Sequence, residues 1–214
     1  MNKFAIIILC LFFILPISVF SQEVAGYEPE SNFETRLVTE DNSIEIVKYI
    51  GNNQQINIPS HINNTPVTRI AGGSFGRKRL TSVNIPNTVT YIGTNAFVDN
   101  YLTSITIPGS VLNIDNMAFA RNTLTSLVIS EGVTTIGNSA FEQNQLTSVV
   151  IAASVTSIGR EAFSINPNLS NVTIGTNLTI RIGTFPNRFH VFYNANSRKG
   201  GKYTYSNEEW IFAL

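Results

Sequence analysis

The side chains most often used in catalysis and metal binding are scarce and scattered in this 214-residue chain. It has two histidines, His61 and His190, far apart in sequence, and three aspartates, Asp41, Asp99 and Asp115, with no shared spacing. A metal centre or a general acid–base pair requires several such groups close together, and no stretch of the chain supplies them. We therefore expect no metal, no cofactor and no enzymatic activity.

Charge and glycine content argue against two further classes of site. Lys and Arg number 14, and Asp and Glu also number 14, so the cation excess needed to neutralise nucleic-acid phosphates is missing. The basic runs at 77–79 and 198–202 are interpreted as solvated loops, with contact to an acidic glycan or lipid head group as the alternative. The Gly72-Gly73 and Gly200-Gly201-Lys202 clusters lack the spacing of a phosphate-binding loop.

The N-terminal 21 residues have the features of a secretory signal peptide. Lys3 precedes an apolar run over residues 4–15, and Pro16 and a small-residue exit at Ser21 follow. An uncleaved membrane anchor is the alternative, because the apolar stretch approaches the lower limit of about 17 residues for a membrane span. Lipid modification of Cys10 is a weaker alternative, because Leu9 stands where a small residue is needed. We expect cleavage after Ser21, no integral membrane segment thereafter, and a mature chain without cysteine that is secreted or held at the cell surface, with the periplasm as a further location.

Most of the rest of the chain is built from a repeat of 22 residues, which must position any functional side chains. The repeat is most visible in a series of phenylalanines: Phe75, Phe97, Phe119, Phe141, Phe163 and Phe185. A period in the twenties is typical of solenoids. One unit would gain too little from its six or seven apolar side chains to offset the conformational entropy of its backbone, so neighbouring units must stack on a shared core.

Each unit divides into a strand and a return path. Residues 80–85 (LTSVNI) alternate apolar and polar side chains, which predicts a short half-buried strand. The following segment passes through a Gly or Asp turn to Ala-Phe, which we interpret as a helical turn or an irregular back wall. Strands are expected near Ile58, Val83, Ile105, Leu127, Val149 and Val172, forming a face about 24 Å long at roughly 4.8 Å per strand.

The pattern Leu-x-x-Val/Ile-x-Ile followed by Val-x-x-Ile-Gly-x-x-Ala-Phe, from Val67 to Phe185, closely resembles the BspA-like, or treponemal-type, leucine-rich repeats. The resemblance implies a right-handed, β-rich leucine-rich-repeat solenoid of about six coils, with one parallel strand ladder and short helical or irregular back-wall turns. Family repeats often carry Cys just before the strand, whereas this chain has Asn100, Asn122 and Asn144. We expect these Asn side chains to hydrogen-bond backbone groups of adjacent coils.

The predicted organisation follows from where this pattern begins and ends. It comprises a signal peptide (1–21), a flexible acidic leader (22–35), an N-terminal cap with an irregular first repeat (36–66), leucine-rich repeats (67–188) and an aromatic C-terminal cap (189–214). Terminal units of a solenoid are expected to be atypical because they shield the ends of the core.

Stacking would turn the outward strand positions into columns, which makes them candidates for partner binding. The candidates on the strands are Ser104, Thr106, Ser126, Val128, Ser148 and Val150. The turns vary more than the strands, and aromatic and Arg side chains often anchor interfaces. We therefore predict that Tyr91, Tyr101 and Arg121 lie near one edge and form a single patch.

The resemblance implies adhesion to host matrix proteins or to other bacteria, by an exported bacterial protein that binds extracellular or surface proteins. We expect it to be a monomer. The alternatives are a structural protein of the envelope and a carbohydrate-binding module that uses Trp210, Tyr203 and Tyr205. The module would require those aromatic side chains to be exposed beside acidic groups.

Overall fold

A computed structural model describes residues 28–175, 178–181, 183–186, 200–206 and 209–213. The proposed signal peptide, His190 and residues 189–199 of the tail lie outside the described residues. The strands in chain order are β1 Phe33–Val38, β2 Ser43–Tyr49, β3 Gln55–Asn57, β4 His61–Ile62, β5 Thr65–Ile70, β6 Ser82–Asn84, β7 Tyr91–Ile92, β8 Ser104–Ile107, β9 Asn113–Ile114, β10 Ser126–Ile129, β11 Thr135–Ile136, β12 Ser148–Val150, β13 Ser157–Ile158, β14 Asn171–Ile174, β15 Thr179–Ile180, β16 Gly201–Ser206 and β17 Glu209–Ala213.

One wall of the solenoid is built from the strands expected at the start of each repeat. Strands β8, β10, β12 and β14 pair in parallel and belong to a six-stranded sheet with order β17-β16-β14-β12-β10-β8. Strands β3 and β6 form a separate parallel pair. The predicted period-two alternation is confirmed, because Leu127 and Ile129 are buried while Ser126 and Val128 face outward.

A second wall was not expected from the sequence. Strands β7, β9, β11, β13 and β15, of two residues each, pair in parallel and continue a nine-stranded sheet that begins at β1. The expectation of one ladder is therefore incomplete. Two residues are too few to show an alternating pattern, and these strands form because the stacked coils place their backbones side by side.

The third wall consists of irregular turns, one of the two forms expected for the return path, and the other form, helical turns, is absent from the described coils. Two residues in each of these turns have positive φ. The pairs in successive coils are Asn95 and Asp99, Met117 and Arg121, Ser139 and Gln143, and Glu161 and Ile165. Left-handed residues interrupt a right-handed helix, so this wall is held by hydrogen bonds between coils, such as Phe97 N–H to Ala118 O at 2.7 Å.

The phenylalanine column predicted from the repeat is confirmed. Rings of neighbouring coils from Phe75 to Phe185 stack with centroids 4.9–5.4 Å apart. That spacing is close to the distance between adjacent strands of a sheet, so the rings can follow the ladder step for step. At the N-terminal end Tyr49 continues the stack, with its centroid 5.6 Å from that of Phe75.

The hydrogen bonds expected of Asn100, Asn122 and Asn144, which stack in successive coils as an Asn column, are also present. Asn100, Asn122 and Asn144 are buried, and Asn166 extends the column by one coil. The side-chain amide of Asn144 donates to Phe141 O in its own coil and to Phe119 O in the preceding coil, both at 3.1 Å. Its carbonyl oxygen accepts from Leu124 N–H at 3.0 Å. Each such Asn therefore ties two coils together inside the core.

The N-terminal cap begins earlier than expected, and residues 28–35 are not a flexible leader. Residues Glu30–Asn32 form a short 3-10 helix and β1 begins at Phe33. Glu28 is buried, and its carboxylate accepts from Asn32 Nδ2 at 2.7 Å and from Asn53 Nδ2 at 2.8 Å. The polar composition of this segment misleads because Glu28 is buried and paired with two Asn side chains. Residues 22–27 of the leader lie outside the described residues.

At the other end, β16 and β17 form an antiparallel hairpin that extends the six-stranded sheet through β14. Tyr203 and Trp210 are part of the hydrophobic core, and Tyr205 and Phe212 pack against it. The inner face of the hairpin thus covers the core beside the last coil.

Candidate functional site

The outward face of the six-stranded sheet carries two columns of predicted binding residues in direct register. In one column Ser126 pairs with Ser104, and Ser148 occupies the same place on β12. In the other, Val128 pairs with Thr106 on one side and with Val150 on the other. The structure therefore brings all six strand candidates onto one continuous surface.

Val128 and Val150 make the centre of this surface apolar. Their side chains are 50% and 58% exposed and occupy paired positions on neighbouring strands. Next to them, β14 contributes Thr173, which is paired with Lys202 of the C-terminal hairpin. Exposed valines flanked by small polar groups provide contact area that can be desolvated by a partner, but they define few directional contacts.

A groove of about 420 Å³ runs along the turns that precede these strands. Its lining includes Tyr101, Arg121, Ile165 and Pro167. Tyr101 is 56% exposed and Ile165 57% exposed. Arg121 Nη1 lies 3.8 Å from Asp99 Oδ1, and Asp99 Oδ2 accepts from Arg77 Nε at 3.1 Å. The groove therefore combines two exposed apolar side chains with an Arg held in place by a carboxylate, which suits an interface anchor.

Tyr91 does not belong to that groove, so the predicted single patch is wrong in this respect. It lies on β7 in the nine-stranded sheet and lines a separate groove with Asn113 and Asp115. Its hydroxyl donates to Asp115 Oδ2 at 2.9 Å. Tyr91 and Tyr101 are ten residues apart in sequence, but the coil turns a corner between them. The two side chains therefore lie on different walls of the solenoid.

Asp115 is held by donors and is not a free carboxylate. Thr94 Oγ1 donates to its Oδ2 at 2.8 Å, and Asn116 N–H donates to its Oδ1 at 2.7 Å. Partial burial opposes ionisation, but these two hydrogen bonds and that from Tyr91 outweigh it and lower the pKa of Asp115. Burial, and then the neighbouring carboxylate, raises the pKa of Tyr91.

The remaining residues with potential for chemistry are dispersed over the described part of the chain. His61 is exposed, with Nδ1 3.1 Å from Ser60 Oγ. Asp41 accepts from Ser43 Oγ at 2.5 Å, and Asp99 pairs with arginines. Among the described residues, no three His, Cys, Asp or Glu side chains are grouped closely enough to hold a metal ion.

The sequence interpretation missed one residue of the candidate site. Ile165 was not among the candidates, although it is the one apolar residue at its position in the repeat, after Arg77, Asp99, Arg121 and Gln143. That departure is the signal that could have identified it. The carbohydrate-binding alternative based on the tail aromatics is wrong, because Tyr203 and Trp210 are only 0% and 5% exposed and support the core.

Comparisons with known proteins agree with this architecture. The sequence model of the BspA-type leucine-rich repeat region matches residues 68–191 in six copies, which is more than half of the chain. No protein of curated function matches the sequence. Within the described residues, no helix is long and apolar enough to cross a membrane.

Several solved leucine-rich repeat structures resemble the chain, including the following two. The leucine-rich repeat protein of T. pallidum is 27% identical with a TM-score of 0.62, and the match covers 68% of this chain and 70% of that one. A leucine-rich repeat protein from Bacteroides ovatus is 26% identical with a TM-score of 0.60, over 68% of this chain and 40% of that one. With the phenylalanine stack, the strand ladders and the six matched copies, the chain belongs to the BspA-type leucine-rich repeat family.

Proposed function

We propose that this protein is an exported bacterial leucine-rich-repeat module that binds proteins at the cell surface and acts in adhesion. Proteins with this fold are typically non-enzymatic interaction modules, and partners of the proposed kind are extracellular or surface proteins. The observation that carries the proposal is the exposed pair Val128 and Val150, adjacent in register on β10 and β12, whose other outward side chains, Ser126 and Ser148, are small and uncharged. Such a face has no role in the core.

The proposed binding surface has two parts with different tasks. The sheet face around Val128 supplies area, because its flat columns of Ser, Thr and Val can be covered without burying charge. The groove beside it supplies specificity through Tyr101, Arg121 and Ile165, since interfaces concentrate binding energy in a few aromatic and Arg anchors. A partner that covers both must be a folded protein surface or a long extended segment.

Location and assembly are part of the same proposal. The apolar run after Lys3 and the exit at Ser21 support export with removal of residues 1–21. We propose that the mature chain is a monomer without catalytic activity. Mass spectrometry of the mature N-terminus tests the location, and a purified chain that retains Met1 contradicts it.

The function is tested by an unbiased pull-down with the mature chain as bait. Parallel captures from host extracellular matrix and from bacterial envelope fractions separate adhesion from a structural envelope role. The double variant Val128→Asp, Val150→Asp should lose the captured partner. Leu112→Asp is the matched control, because Leu112 is also an exposed aliphatic residue, 48% exposed, but lies outside the six-stranded sheet. Equal capture by both variants rejects the sheet face as the site.

A further inference from the structure

Two arginines near the end of the nine-stranded sheet lack carboxylate partners in the described part of the chain. Arg160 and Arg181 are exposed and both line a groove of about 460 Å³, together with Asn116, Asn138 and Ser157. Of the other arginines in the described residues, Arg36, Arg69, Arg77 and Arg121 each lie within 4.0 Å of a carboxylate, whereas Arg79 is exposed in a turn. The groove therefore presents two uncompensated guanidinium groups beside neutral polar side chains.

The repeat shows that the fold does not require these two arginines. Arg181 occupies the position of Gly137 and Gly159 in the preceding coils. A Cβ on Gly137 would lie 2.6 Å from Asn116 N, and a Cβ on Gly159 would lie 2.5 Å from Asn138 N, so those coils have no room for a side chain there.

Arg160 departs from its column in a similar way, because it follows Asn116 and Asn138 at successive repeat positions. In those coils the side-chain oxygen of each Asn accepts from the backbone N–H of the next coil, Asn138 N and Arg160 N, both at 2.8 Å. An Arg side chain cannot accept such a bond. In earlier coils these two positions hold a Gly that fits a close backbone contact and an Asn that bonds the next coil. The two arginines replace them, and both line the same groove.

This groove continues into the one lined by Tyr91, since the two share Ile136 and Gly137. Along the sheet, Tyr91, Asn113, Thr135 and Ser157 face outward from successive strands in register. Three strand steps of about 4.8 Å make this row roughly 14 Å long. We call this surface the polar strip: the Tyr91 ring and the Asp115 carboxylate that accepts its hydrogen bond at one end, hydroxyl and amide groups along it, and Arg160 and Arg181 at the other end.

We propose that the polar strip binds an acidic polysaccharide, with Arg160 and Arg181 holding its carboxylate or sulfate groups. Guanidinium groups recognise such oxyanions through paired hydrogen bonds. The row of Asn, Thr and Ser supplies donors and acceptors for sugar hydroxyls, and Tyr91 supplies an apolar ring for a sugar face. An acidic protein segment would have no use for the Tyr91 end, and a free anion would use only the two arginines.

The probes are short oligogalacturonides, their methyl-esterified forms as uncharged counterparts, inorganic sulfate and poly-glutamate, each titrated calorimetrically onto the mature chain. We expect the charged oligosaccharide to bind at least about tenfold more tightly than the esterified form, as for hydrogen bonds to charged groups. Its affinity should fall with added salt. Failure of the charged oligosaccharide to bind overturns the proposal, as does equal binding of poly-glutamate. Sulfate that binds as tightly as the oligosaccharide identifies a simple anion site and also overturns it.

Variants that restore the repeat are suited to this test because their side chains already occur at the same position in other coils. Arg181→Gly and Arg160→Asn should each weaken oligosaccharide binding about tenfold. Tyr91→Thr should weaken oligosaccharide binding but leave sulfate binding unchanged.

Arg79→Gln, at an exposed arginine in the turn before β6, is the control for general charge. A loss with Arg79→Gln as large as that with Arg181→Gly, or no effect of Tyr91→Thr, rejects the polar strip. Val128→Asp should leave this binding intact, so the test is independent of the proposed protein-binding face.

Discussion

The side-chain amide of Asn122 donates a hydrogen bond to the backbone carbonyl of Phe97 in the preceding coil, at 3.0 Å. The same nitrogen donates to Phe119 O at 3.1 Å, and the side-chain oxygen accepts from Leu102 N–H at 3.1 Å. One buried side chain therefore satisfies backbone groups of two coils. This arrangement makes the Asn column a structural element that a hydrophobic residue cannot replace.

Asn122→Ala should reduce the free energy of unfolding by about 1–3 kcal/mol, because buried backbone groups lose their partner. Urea denaturation of the mature chain measures the change. Asn87→Ala is the control, since Asn87 is exposed, and a surface substitution of this kind changes stability by at most about 0.5 kcal/mol. Similar values for the two variants contradict a structural role for the Asn column.

Phe119→Ala should cost about 3–5 kcal/mol through the cavity that it leaves. The ring of Phe119 lies between Phe97 at 5.0 Å and Phe141 at 5.4 Å, so neighbouring coils lose contacts as well. Because coils share one core, the array should still unfold as a single block. The measurement compares far-ultraviolet circular dichroism with the fluorescence of Trp210, the only tryptophan. Transitions at different denaturant concentrations contradict the coupled block.

Ile165→Gly should stabilise the protein while weakening partner binding. Ile165 has φ of 52°, a conformation that costs about 1–2 kcal/mol for a residue with a Cβ and is least suited to a β-branched one. Thermal and urea denaturation measure the gain, and capture of the proposed protein partner measures the loss. Gln143→Gly is the matched control, at the same position of the preceding coil with φ of 56°, and should gain less. A destabilised Ile165→Gly variant contradicts this account of strain.

Tyr101→Ala and Arg121→Ala should each weaken binding of the protein partner by about 1 kcal/mol or more and leave the melting temperature nearly unchanged. Both side chains line the groove beside the six-stranded sheet and neither contributes to the core. Binding is measured by surface plasmon resonance with the captured partner. If both variants bind normally while Val128→Asp and Val150→Asp abolish binding without unfolding, the sheet face alone is the site.

Stability should depend on the protonation of Asp115. Its folded-state pKa is lowered, so its contribution is present above the unfolded pKa, about 4, and is lost as pH falls through the folded value. The stability difference between the wild type and Asp115→Asn should therefore shrink in acid. Tyr91→Phe removes one donor and should raise the pKa of Asp115, as followed by NMR titration of the carboxyl carbon. An unchanged titration contradicts a role for the 2.9 Å hydrogen bond.

The repeat pattern alone was enough to predict the coil, its period and its interior. Apolar side chains recur every 22 residues, and because one repeat cannot bury enough surface alone, periodicity requires stacking. The phenylalanine column, the alternating strands near Val83 and Leu127 and the inter-coil hydrogen bonds of Asn100, Asn122 and Asn144 all followed from that reasoning. Each of these three features depends on a short local pattern that recurs at the same position of every repeat.

The places where each coil turns its corners could not be predicted from local pattern and depend on the packing of coil against coil. The two-residue strands of the second wall form through pairing between coils, which no local pattern reveals, and they separate Tyr91 from Tyr101. Glu28 was misjudged for a related reason: whether a polar side chain near a terminus is exposed depends on what the end of the solenoid places beside it. Spacing along the chain identifies stacked positions, whereas proximity between different walls depends on the three-dimensional path of each coil.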